Sequence, residues 1–119
     1  MQEERLPSWI WVDALIRRVQ AAGAACFVVQ SGDRERGDVL VKVADLAGMA
    51  RGYVPRTSME GVRVFSDLRL QGIGESEADI DSYVARTRAR DPDLWVLEIE
   101  DRQARHFITE PVETPDTSD

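Results

Sequence analysis

Apolar and polar positions recur along this chain with two periods, and the changes of period mark its elements. Between residues 8 and 22, Val12, Leu15, Ile16, Val19 and Ala22 fall on one helical face. Ser8 stands where an N-cap is expected, and Gly23 where a helix stops in left-handed backbone. Asp13 and Arg17, four apart, make a weak pair on the outer side, and Trp9 and Trp11 widen the apolar surface of the first turn. The run 25–30 is short, apolar and rich in β-branched or aromatic residues, so it predicts a strand. Residues 39–43 predict a second, with Val39, Val41 and Val43 on one face and Leu40 and Lys42 on the other. The charged loop between them, 31–38, is short, and a short loop predicts an antiparallel hairpin.

Residues 48–56 read as a third strand, 57–61 as a turn and 62–65 as a fourth strand. The stretch 67–74, with Gly72-Ile73-Gly74, reads as loop. A second helix follows. Ser76 and Asp79 stand three apart as in a capping box, Ile80, Tyr83, Val84 and Thr87 form its inner face, and Arg86, Arg88 and Arg90 suit its negative end. Pro92 stops it. A last strand runs from Leu94 to about Glu100, and 102–109 extends the sheet or trails off. The order α-β-β-β-β-α-β predicts a single two-layer α+β domain over 1–109, with a mainly antiparallel sheet of about five strands and two helices on one face. Such an arrangement leaves one sheet face to be covered. Tyr53 and Phe65 are the candidate interaction surface there, and self-association into a homodimer is one way to cover it.

Composition narrows the picture. The chain has 119 residues, 43% hydrophobic and 31% charged, which suits one soluble domain with a real core. Its one cysteine, Cys26, lies in an apolar run without a basic neighbour, as a buried structural thiol does. Neither a secretory signal nor a membrane-length apolar segment is visible, so the expected location is cytoplasmic and no membrane partner is expected. Net charge is −7, and the last ten residues carry four acids and no base. With its two prolines this stretch, 110–119, predicts a disordered acidic tail. The mildly acidic body offers no footprint for nucleic acid. Lys42 is the only lysine among fifteen basic residues, and the arginines are spread over every element.

Catalytic chemistry finds little support. On the last strand Glu98 and Glu100 share a face and are the candidate metal ligands for a hard cation such as Mg²⁺ or Mn²⁺. With Asp93 and Asp101 they would serve a small metal-dependent hydrolase, the rival function. The simpler reading packs Trp95, Leu97 and Ile99 under a helix and leaves the acids in water. An acid-x-Lys nuclease pattern fails because Leu40 precedes Lys42. His106 and Cys26 are too few for zinc, and no serine stands in a nucleophile elbow to pair with His106. Gly72-Ile73-Gly74 precedes a helix start, yet Glu75, Glu77 and Asp79 repel anions there. The Arg86, Arg88, Arg90 trio reads as a solvated helix end. No cofactor is implied.

Certain stretches nevertheless carry a resemblance: Arg5-Leu6, Trp11-Val12-Asp13-Ala14-Leu15-Ile16-Arg17-Arg18, Gly32-Asp33 with Val39-Leu40-Val41-Lys42-Val43, and above all Asp91-Pro92-Asp93-Leu94-Trp95-Val96-Leu97-Glu98-Ile99-Glu100-Asp101. With these the chain resembles the small, chiefly alphaproteobacterial family known as domain of unknown function 1491, over nearly its whole length except the tail. The resemblance implies no activity, cofactor or catalytic residue. The expected function is therefore a small intracellular protein-interaction or self-associating module without catalytic activity.

Overall fold

A computed structural model describes residues 5–115. Its elements are α1 (Ser8–Ala21), β1 (Ala25–Gln30), β2 (Val39–Ala44), β3 (Ala50–Thr57), β4 (Arg63–Asp67), a 3-10 turn (Leu68–Gln71), α2 (Glu77–Arg90), β5 (Trp95–Glu100) and β6 (Val112–Glu113). They form an α+β fold around one six-stranded sheet in the order β1-β5-β2-β3-β4-β6.

The sheet is mixed, which corrects the predicted hairpin. β5 lies between β1 and β2, antiparallel to the first and parallel to the second. The loop 31–38 is an arch over the start of β5. The Asp33 N–H donates to the Asp93 carbonyl at 3.0 Å, and the Trp95 indole N–H donates to the Asp33 carbonyl at 2.7 Å. A Cβ on Gly32 or Gly37 would run into that same Asp93 carbonyl, so the arch can lie this close only with glycine at both positions. The arch also receives α1. Ser8 does not cap the helix but is its first residue, donating through Oγ to the Gly37 carbonyl, while its N–H and that of Trp9 donate to Glu35 and Arg34.

The two helices lie on opposite faces rather than on one. Val12, Leu15 and Val19 of α1 pack on Cys26, Val39, Val41, Val43, Trp95, Leu97 and Ile99. Ile80 and Val84 of α2 pack on Leu40, Ala50, Leu68, Leu94 and Val96. Tyr53 and Phe65 therefore do not form a surface. They are 3% and 0% exposed on the α1 side, Phe65 stacked on Trp11 with ring centroids 5.2 Å apart. The chain that covers them is the C-terminal segment, with Ile108 buried and Phe107 and Val112 packed beside it.

That segment corrects the predicted tail. Val112 and Glu113 pair in parallel with Phe65 and Ser66, the Trp11 indole N–H donates to Glu110 at 2.7 Å, and Arg56 grips Glu113 at 2.7 and 2.9 Å. Asp116 to Asp119 lie outside the described residues. The second helix follows its sequence signals: the Ser76 side chain accepts from the Asp79 N–H, and the helix ends at Arg90 before Pro92.

Candidate functional site

Lys42 is the chemical centre of the α2 side. Alternation along β2 turns it away from Val41 and Val43, toward α2, and the parallel register sets it opposite Glu98. Its other neighbour in the sheet is Gly52, where Leu68 occupies the space a side chain would take. Only 6% of the Lys42 side chain is exposed. Its Nζ donates to Glu77 at 2.8 Å and Asp81 at 2.7 Å, both on α2, and lies 3.4 Å from Glu98. Burial by itself would lower the pKa of this ammonium, but the hydrogen bonds to Asp81 and Glu77 and the Glu98 charge outweigh it and hold it raised. Burial pushes the Glu98 carboxyl up, with Lys42 opposing.

This geometry limits the chemistry. An ammonium held protonated by three acids has no lone pair with which to act as base or nucleophile. Of the four acids that the sequence offered to a metal-dependent hydrolase, Glu98 is engaged by Lys42. Asp101 faces the other side of the sheet, its carboxylate gripped by Arg105 Nε and Nη2, each at 2.9 Å. That grip holds its pKa down to about 2. Asp93 lies in the turn before β5, and Glu100 sits two residues beyond Glu98 at the end of β5, in register with Ala25 and Ala44. The four do not converge, and among the described residues no cluster of three or more His, Cys, Asp or Glu has metal-binding geometry.

His106 and Cys26 are equally committed. His106 packs edge-on to Tyr53, with ring centroids 5.0 Å apart, and its Nδ1 accepts the Ile108 N–H. Burial lowers its pKa against the opposing Asp67 charge, which favours the neutral ring. Burial also pushes the Cys26 thiol up to about 11, leaving no thiolate at neutral pH. Asp67, fully buried opposite Tyr53 in the β3–β4 register, is held by Arg69.

Beside the Lys42 cluster runs a groove between α2 and β1. A hollow of about 190 Å³ is lined by Val29, Val84, Ala85 and Val96, with Lys42, Asp81 and Glu98 at one end and Arg88 at the other. Arg88 Nε donates to the Gln30 side chain at 2.9 Å across it. The outer wall is β1, the first strand of the sheet, whose far side has no partner strand among the described residues. It presents Phe27, Val28 and Val29, exposed at 52%, 42% and 42%. A bulge between Val28 and Gln30 interrupts its ladder with β5, and Ala25 to Val28 remain regular. Sequence reasoning found this strand but not its exposure, because which strand lies at the margin depends on where β5 inserts.

The chain matches the profile of the family described as protein of unknown function DUF1491 over residues 6–109. It belongs to that family. The DUF1491 fold is shared by a family member from Caulobacter crescentus CB15. Its crystal structure is 44% identical, covering 92% of this chain and 100% of that one with a TM-score of 0.83. The NMR structure of a family protein from the same organism is also 44% identical, covering 93% and 99% with a TM-score of 0.80. A solution structure from A. tumefaciens is 33% identical, covering 96% and 100% with a TM-score of 0.74. No curated protein matches the chain. No helix among the described residues is long and apolar enough to cross a membrane.

Proposed function

We propose that this DUF1491 chain is a protein-interaction module with no catalytic machinery of its own, and that it engages another polypeptide by strand addition at β1. One observation carries the reading: three consecutive apolar residues, Phe27, Val28 and Val29, are exposed on a strand with one unpaired side. Natural sheets guard such margins with lysine, proline or inward-pointing charge, and β1 has none of them. An added strand would satisfy the free backbone groups of β1 and lay its side chains along the groove beside α2. The state of Lys42, His106 and Cys26 supports the non-catalytic part, since each is neutralised or fully engaged.

The test is photo-crosslinking in living cells, with a benzoylphenylalanine at position 27 and a control at the exposed Leu70. A covalent adduct with a polypeptide is expected at position 27 alone, and lost when Val29→Asp is added. Equal adducts at both positions, or none at 27, overturn the reading.

A further inference from the structure

We infer that the polypeptide added to β1 is a second copy of this chain, its β1 running antiparallel with Phe27 opposite Phe27 on a twofold axis. This inference rests on the strand-addition reading and names its occupant.

Three features point to self-pairing. The first is pattern. Directly opposed residues of an antiparallel pair lie on the same face, so a twofold pairing of β1 must be centred on a residue. Centred on Phe27, it spans 25–29, which contains the whole regular stretch of the strand. On the α2 side it sets Ala25 against Val29 of the other copy and the two Phe27 rings against each other, small opposite large at the flanks and aromatic pair at the centre. Each ring then reaches toward the hollow lined by Val29, Val84 and Ala85.

The second is charge. Beside β1 the Gln30 end is basic, where Arg88 is bound, and the Ala25 end is acidic, where Glu100 stands in register with Ala25. A twofold axis through Phe27 lays the Arg88 end of one copy along the Glu100 end of the other, twice per pair. A parallel arrangement would set like charge beside like.

The third is closure. The opposite margin of the sheet is β6, two residues long, entered from Pro111 and followed by Pro115. Proline and brevity make it a poor acceptor of a further strand. One open margin per chain gives an isologous pair and stops there.

The experiment joins light scattering to a charge swap and a cross-link. The wild-type chain is expected at twice 13.4 kDa. Phe27→Lys, at a position already exposed and therefore safe for folding, is expected to weaken the pair by roughly 30-fold or more, as loss of a central aromatic anchor does. Arg88→Glu and Glu100→Arg should each weaken it, and the double variant should regain most of the loss. In a Cys26→Ala background, Phe27→Cys should form an intermolecular disulfide on mild oxidation, and Leu70→Cys should not. A wild-type monomer at micromolar concentration, or a charge swap without recovery, overturns the inference. The strand-addition reading then stands or falls by the adduct at position 27: a mass other than two copies retains that reading and removes this one, and no adduct removes both.

Discussion

The two faces of the sheet are covered by one helix each, yet they are made of different materials. The α1 face is mainly aromatic and aliphatic: Trp11, Phe65, Tyr53 and Trp95 pack with the valines of β2, the C-terminal segment completes the cover, and the buried acids Asp67 and Asp101 pair with nearby Arg69 and Arg105. The α2 face has a smaller apolar cluster and, beside it, a buried ammonium with three carboxylates. The difference shows how one sheet divides two tasks. A face closed mainly by apolar packing tolerates little change in volume. A face fastened partly by charge leaves a groove at its margin, since ion pairs hold α2 over β2 without filling the space toward β1.

The sharpest way to break the contrast is on the α1 side. Phe65→Ala should cost about 3–5 kcal/mol by leaving a cavity under α1, read from denaturant unfolding. Lys42→Met should cost less, about 2–4 kcal/mol, because it strands three carboxylates of which two are partly in water. Adding Glu98→Gln should return part of that loss, and a double-mutant cycle with no coupling would remove the ion-pair account. Trp11→Phe keeps the stacking on Phe65 but leaves Glu110, one of whose oxygens is already buried without a partner, with none on the other. It should cost about 1–2 kcal/mol.

Smaller effects sharpen the comparison by pH and metal. Asp101, held down to about 2 by Arg105, gives stability that is whole above its unfolded pKa of about 4 and is lost as pH falls through 2. The acid limb of a pH–stability curve should therefore shrink in Asp101→Asn. Lys42, whose pKa burial lowers but the Asp81, Glu77 and Glu98 carboxylates raise further, gives stability that is complete below the ordinary lysine range while those carboxylates stay ionised, and that is lost as pH rises past that range. The smallest expected effect is none. Millimolar Mg²⁺ or Mn²⁺ should leave Tm unchanged, because an ammonium already occupies the place a cation would take beside Glu98.

Much of this was legible in the sequence. Ser76, the arginines of the last turn and Pro92 delimit α2, and the alternation in 39–43 and 94–100 identifies the two central strands. Their partners were not legible. β2 is buried on both faces, as strands in the middle of a sheet are, but Lys42 gives it the look of a half-exposed strand. Its burial depends on Glu77, Asp81 and Glu98, which lie 35 or more residues later. The segment 110–113 looked like tail because Pro111 and the acids dominate it. Its order comes from Trp11, Arg56 and the free side of β4, all distant in sequence. Tyr53 and Phe65 looked exposed for the same reason, their cover being the last part of the chain.

The position of β5 has a consequence for the order of events during synthesis. β1 is made among the first thirty residues, but its one neighbour in the sheet among the described residues is made at 95–100. Until then β1 has no strand on either side, and the arch 31–38 has nothing to span. Closing so long a loop adds a non-local step that slows folding. While the chain grows, Phe27, Val28 and Val29 wait without their strand partner, and neighbouring nascent chains on one message carry the same strand.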